Sequence, residues 1–176
     1  MKAKFLIGID EAGRGPLAGP VAVGVFAIRS KTVLKMFKGA RDSKKLTPEE
    51  RDSFFFKIKL AKKDGHIHYA VSYSSAGHID RKGIVPAIKS ALNRSLKKLE
   101  KLGIVPHRAR VLLDGSLKAP LRYLNQKTII GGDDIEPVIS VASICANRWR
   151  RSNIRLNLLN AFIIGSRLIC INRVAI

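Results

Sequence analysis

The chain has 176 residues, 46% of them hydrophobic, enough for one domain with a sizeable core and too many for a disordered polar tail. Its 33 Lys and Arg stand against 13 Asp and Glu, a formal net charge of +20 and a pI near 10.6. That balance points to a polyanionic partner, nucleic acid being the commonest, with a merely basic or ribosome-associated domain as the plain alternative.

At the N-terminus, "MKAKFLIGID" meets charge too soon for a secretory leader, and a cytoplasmic protein is expected. Phe5 to Ile9 reads as a buried strand that ends at Asp10. A loop rich in glycine and proline follows, and Val21 to Ile28 is a second, valine-rich strand. Thr47, Pro48 and Glu50 supply a cap, a first-turn proline and a capping box. They predict a helix to about Lys63 that buries Phe54, Phe55 and Ile58. "HIHYAVSYSS" alternates Ile67, Tyr69, Val71 and Tyr73 as a half-exposed strand. From Val85, the helical spacing of Ile88, Leu92, Leu96 and Leu99 predicts a helix closed by Gly103. Its other face carries Lys89, Arg94, Lys97, Lys98 and Lys101, either a solvated face or one that meets phosphates. "ARVLLDGSL" is a further buried strand with Asp114 at its end, and "PVISVASICANRW" starts another helix. Mixed strands and helices without repeat or linker give an α/β architecture.

Cys145 and Cys170 form neither a metal-binding spacing nor a disulfide framework. Polar residues such as Asn157, Asn160 and Arg167 interrupt the apolar C-terminal stretch, so no membrane segment is expected. "GRGPLA" fits the dinucleotide-binding spacing only formally, since it holds Pro16 and leads into a strand.

Asp10 and Asp114 each stand where an apolar strand gives way to a glycine loop, and Glu11 adjoins the first. If the strands are neighbours, three carboxylates converge. Such a cluster calls for a divalent cation, and oxygen-only ligands favour Mg²⁺ or Mn²⁺ over zinc. In a basic protein the matching reaction is phosphodiester hydrolysis with two ions about 4 Å apart. Two solvated acids in a surface turn is the competing reading of the same residues.

Four stretches, in order, are similar to those of a known family. "GIDEAGRGPLAGPV" closely resembles the signature of ribonuclease HII. "DSKKLTPEER", "VLLDG" and "GGDDIEPVISVASICA" resemble its later segments, so the likeness spans roughly residues 4 to 146. The resemblance implies a ribonuclease H-like fold, a mixed central β-sheet flanked by helices. It implies an endonuclease, dependent on Mn²⁺ or Mg²⁺, that hydrolyses the RNA strand of RNA–DNA hybrids. Embedded ribonucleotides in duplex DNA would be nicked on their 5′ side. Asp10, Glu11 and Asp114 match the metal-binding carboxylates. Gly13, Arg14 and Gly15 match the loop whose backbone senses the ribose 2′-hydroxyl, and Lys44 and Lys45 are placed to hold phosphates. A monomer is expected.

After Ala146 the likeness stops. Where the family continues Ala-Lys-Val-x-Arg-Asp, this chain has "ANRWRR", so Asn147 stands for the Lys and Arg151 for the fourth acid. An Arg ~5 Å from a dication, at an effective dielectric of ~20, is repelled by on the order of 6 kcal/mol. From Asn147 onward there are six Arg, no Lys and no acid, and the family's junction tyrosine has no counterpart after Tyr123. The expected organisation is therefore a catalytic domain over 1–146 and an aberrant tail over 147–176, not a separate domain. A shift of the coding frame near codon 147 accounts for the change, and real divergence is the alternative. A catalytically impaired nucleic-acid binder is the second functional expectation. Asp133 and Asp134, after Gly132, read as turn residues.

Overall fold

The computed structural model describes residues 4–15, 19–40 and 46–172, with the side chains of Pro48 and of 157–172 outside that description. A five-stranded mixed sheet forms its centre. The strands in chain order are β1 (Phe5–Ala12), β2 (Val21–Ile28), β3 (Ile67–Ser74), β4 (Ala109–Asp114) and β5 (Asn125–Ile129). Across the sheet they lie in the order β3-β2-β1-β4-β5. The first three pair antiparallel, β2 and β3 being joined through the segment that holds α1, whereas β4 and β5 run parallel to β1. Parallel neighbours need a crossover, and the one that returns the chain to β4 beside β1 carries α3.

The helices are α1 (Pro48–Lys63), α2 (Ala76–Lys82), α3 (Ile84–Glu100), α4 (Gly132–Ile135) and α5 (Pro137–Asn172). At the start of α1 the predicted capping box is present: Glu50 N–H donates to the Thr47 hydroxyl at 3.2 Å, and Thr47 N–H donates to the Glu50 carboxylate at 2.7 Å. Burial of Ile58 agrees with expectation, while Phe54 and Phe55 are half-buried and Phe56 is exposed.

Two apolar layers sandwich the sheet. Ile7, Ile9, Val23, Val25, Val111 and Leu113 are fully buried on the α3 side, against Ile88, Leu92, Leu96 and Leu99. Each such side chain contributes about 1.5–3 kcal/mol by leaving water. Phe26, Ile28, Leu112 and the N-terminal half of α5 make the other layer with Ile58.

Strand β3 differs from its expected facing. Ile67 is buried as expected, but beyond it Ala70, Ser72 and Ser74 are the buried positions, whereas Tyr69 and Val71 are half-buried and Tyr73 is exposed. The small residues let α3 come close, and the Ser74 hydroxyl donates to the Ala87 carbonyl at 2.8 Å. The basic face of α3 also has a local task at this sheet edge. Lys98 donates to the Val71 carbonyl at 2.7 Å and Arg94 to the Tyr73 carbonyl, which covers edge acceptors that would otherwise pair with another strand.

Helix α5 packs very close against the sheet. An added Cβ at Gly8 would lie 2.1 Å from the Val138 carbonyl oxygen, and one at Gly24 would lie 2.3 Å from that of Ala142. Only glycine admits the helix backbone this near. Gly24 pairs with Asp10 across β1 and β2, so the contact fixes the height of α5 over the acid. No break marks residue 147: α5 runs through it without interruption.

Candidate active site

The first acid pair lies within a strand, not after one. Strand β1 continues to Ala12, because Asp10, Glu11 and Ala12 pair with Gly24, Val23 and Ala22. Parallel pairing of β1 with β4 runs to Ile9 opposite Leu113, and one further step sets Asp10 beside Asp114. Alternation then sends Ile7 and Ile9 into the α3 layer and turns Asp10 toward α5.

Asp10, Glu11 and Asp114 line one open cleft of about 420 Å³, with Gly13, Arg14 and Gly15 on its rim. Asp10 is 5% exposed. Its carboxyl is pushed up to about 7, first by burial, then by the charges of Glu11 and Asp114, against the opposing hydrogen bonds of Ser143 and Glu11 N–H. The Glu11 N–H donates to Asp10 Oδ1 at 2.7 Å. Glu11 is also raised, again mainly by burial and further by Asp114, while Arg14 acts in the opposite direction. Arg14 reaches Glu11 Oε1 at 3.5 Å and the Ser116 hydroxyl at 3.4 Å, bridging the mouth of the cleft. The second oxygen of Glu11, Oε2, is buried and has no hydrogen-bond partner. Asp114 Oδ1 accepts the Gly132 N–H at 2.6 Å.

The opposite wall is α5. Ser143, Ile144, Asn147 and Arg151 recur at helical spacing along the face turned to the acids. Arg151 thus borders the same cleft as the three carboxylates. The neighbouring Arg150 holds the glycine loop: its Nε donates to the Pro20 carbonyl at 3.0 Å. An added Cβ at Gly13 would lie 2.6 Å from the Pro20 carbonyl oxygen, and Gly13 has φ +100°, so a side chain is disfavoured here on both grounds.

Asp133 corrects the sequence reading. It is 3% exposed in the short α4 and lines the cleft, whereas Asp134 is exposed. The Ser140 hydroxyl donates to the Asp133 carbonyl and so ties α4 to α5. Arg51, from the first turns of α1, also lines the cleft. The sequence pattern singles out neither Asp133 nor Ser143 for the site, because their approach depends on how α4 and α5 pack. The segment "GGDDIEPVISVASICA" did carry both. Lys44 and Lys45 lie outside the described residues.

The donor set is all oxygen, with Asp10 and Glu11 raised first by burial and one buried carboxylate oxygen lacking a partner. That chemistry fits a hard divalent cation. As the side chains stand, no three acidic, His or Cys groups among the described residues enclose one point. Asp114 is turned to the Gly132 amide and Glu11 to Arg14, so these two carry the adjustment that a cation would require.

A mixed five-stranded sheet with acids converging at the ends of β1 and β4, in a strongly basic chain, defines a ribonuclease H-like protein. The family described as Ribonuclease HII matches residues 7–163. A ribonuclease HII of Polaromonas sp. is 39% identical over 146 residues, covering 83% of this chain and 67% of that relative. One from Prochlorococcus marinus is 38% identical over 147 residues, covering 83% of this chain and 72% of the other. The chain therefore belongs to the ribonuclease HII family, whose members are phosphodiester-cleaving hydrolases, and it spans about two thirds of the length of these relatives. The fold agrees with that of the ribonuclease HII in the PCNA complex from Archaeoglobus fulgidus. There the TM-score is 0.67 at 24% identity, over 90% of this chain and 78% of that one. Among the described residues no helix is long and apolar enough to cross a membrane.

Proposed function

We propose that this chain is a divalent-metal-dependent endonuclease that cuts the RNA strand of RNA–DNA hybrids and nicks duplex DNA 5′ of embedded ribonucleotides. The observation that carries it is the meeting of Asp10, Glu11 and Asp114 in one cleft beside the Gly13–Arg14–Gly15 loop. Asp10 and Glu11 from β1 and Asp114 from β4 are the residues that would hold Mg²⁺ or Mn²⁺. When bound, such ions supply an activated water and neutralise charge on the leaving oxygen.

The chain's own groups do the rest. Ser143 donates to Asp10 and fixes the orientation of its carboxylate. The backbone of Gly13 and Gly15 is bare enough to meet a ribose 2′-hydroxyl, the group that distinguishes RNA from DNA. Arg150 holds this loop in place from α5. Arg14 and Arg51 at the rim add positive charge where the phosphates of a bound strand would pass.

Arg151 favours a second reading, a nucleic-acid binder with impaired catalysis. It lines the cleft at the position of the family's fourth acid and adds positive charge where a carboxylate is expected. Nicking of a duplex that contains one ribonucleotide, with Mg²⁺ or Mn²⁺, separates the two. Metal-dependent nicking that leaves a 3′-hydroxyl and a 5′-phosphate supports the enzyme. Tight binding without nicking supports the impaired binder. For the tail, we propose a shifted coding frame; translation of the nucleotides in the other two frames should show Lys-Val-x-Arg-Asp after Ala146, and its absence would sink the idea.

A further inference from the structure

The helix that forms one wall of the acidic cleft has a second working face. While Ser143, Asn147 and Arg151 look toward the acids, Cys145, Arg148, Trp149 and Ser152 look into a separate groove of about 570 Å³. The groove lies between α1, the β3 edge and the end of α3, and it shares no lining residue with the cleft.

Its walls combine two kinds of side chain. Phe55, Tyr69 and Trp149 supply aromatic surface, and Trp149 is stacked on Tyr73 with ring centroids 4.4 Å apart and planes at 24°. Lys59, Lys62 and Lys101 supply cations, and none of the lining residues is acidic. Lys62 Nζ stands 4.5 Å above the Tyr69 ring and Lys59 Nζ 5.3 Å above that of Phe55. Lys98 and Arg148 also border the groove but are engaged, with the Val71 carbonyl and with Asp52 at 2.8 Å.

We infer that this groove binds an unpaired nucleic-acid strand, one base on the aromatic wall and its flanking phosphates on Lys59, Lys62 and Lys101. Aromatic faces interleaved with cations suit a strand whose bases are free to stack, each stacked base being worth roughly 1–3 kcal/mol. A purely apolar occupant leaves the lysines without anionic partners, and an acidic peptide leaves the ring faces without a flat one. The open volume falls within the range of roughly 300–1,000 Å³ that holds small ligands, so the site takes about one nucleotide and not a duplex.

The test is direct because Trp149 is the one tryptophan in the sequence. The full chain is titrated with oligothymidylate five nucleotides long, in EDTA, while tryptophan fluorescence is followed. Saturable quenching that weakens with added salt is expected, with affinity at least tenfold lower for Lys59→Gln/Lys62→Gln at an unchanged thermal melt. An abasic oligomer of equal charge should quench far less. Absence of quenching by the oligonucleotide overturns the proposal, as does quenching that the double variant leaves unchanged. It is also overturned if the abasic oligomer or polyglutamate matches the oligonucleotide, or if light scattering shows that self-association occupies the groove. Metal and cleavage play no part in the readout, so failure of the proposed nuclease activity would not affect it.

Discussion

The two walls of the acidic cleft carry opposite charge. On the sheet side, β1 and β4 bring Asp10, Glu11 and Asp114 to one edge. On the helix side, α5 brings Asn147 and Arg151 to the same space and Arg150 to the glycine loop. Both walls are placed by backbone geometry that is indifferent to this chemistry. Strand register sets the first, and the contact of α5 with Gly8 and Gly24 sets the second. Residue 151 therefore borders the cleft whatever its side chain, and its identity sets the charge that this wall presents.

The largest expected effect breaks the sheet wall. Asp10→Asn should nearly abolish metal-dependent nicking if Asp10 holds the ion as proposed, because the cation then loses one of its three carboxylates. The same change should stabilise the metal-free fold. Asp10 has an ordinary value of 3.8 and is raised to about 7, so the folded state keeps a proton that the unfolded state has lost. Its contribution is full below pH 3.8 and is lost as pH rises through about 7, on the order of 4 kcal/mol over that window. Thermal melts in EDTA should fall from pH 4 to pH 8 for the parent chain and much less for Asp10→Asn. A parent melt flat across that range would contradict the burial of this acid.

Next comes the helix wall. Arg151→Asp returns a carboxylate to the cleft and removes a cation. It should tighten Mn²⁺ binding at least tenfold by calorimetry and raise nicking by a similar factor. Unchanged binding would mean that residue 151 does not act on the acids.

The joint between the walls follows. Gly24→Ala forces a methyl group into the Ala142 carbonyl. Overpacking of this kind costs about 1–3 kcal/mol, read as a lower denaturant midpoint at unchanged slope. The smallest effect is expected for Arg150→Ala, which frees the glycine loop from α5. It should raise KM for the ribonucleotide-containing duplex a few-fold while kcat holds.

Legibility in the sequence follows the same division. Local chemistry was readable: the Thr47–Glu50 capping box fixed the start of α1, and unbroken valine-rich hydrophobicity gave β2 its observed bounds. The acids could be placed at strand ends, although pairing with β2 carries β1 on to Ala12. What escaped depends on packing at a distance. The edge strand β5, "NQKTI", is too polar to show a buried pattern and exists through its pairing with β4. On β3 the serine and alanine positions, not the tyrosines, are buried, because α3 needs small residues beneath it. Burial of Asp133 results from the folding of α4 onto α5, which no local rule encodes. Residue 151, where the family resemblance leads one to expect an acid, lies on the cleft wall.

The central claim is that the sheet wall suffices for metal-dependent cleavage despite the arginine opposite. The most direct measurement is single-turnover nicking of a duplex with one embedded ribonucleotide, with Mn²⁺ and with EDTA, for the parent chain and Arg151→Asp. A metal-dependent nick on the 5′ side of the ribonucleotide is expected in both, faster in Arg151→Asp. Binding of the duplex with no nick from the parent chain at any metal concentration would contradict it.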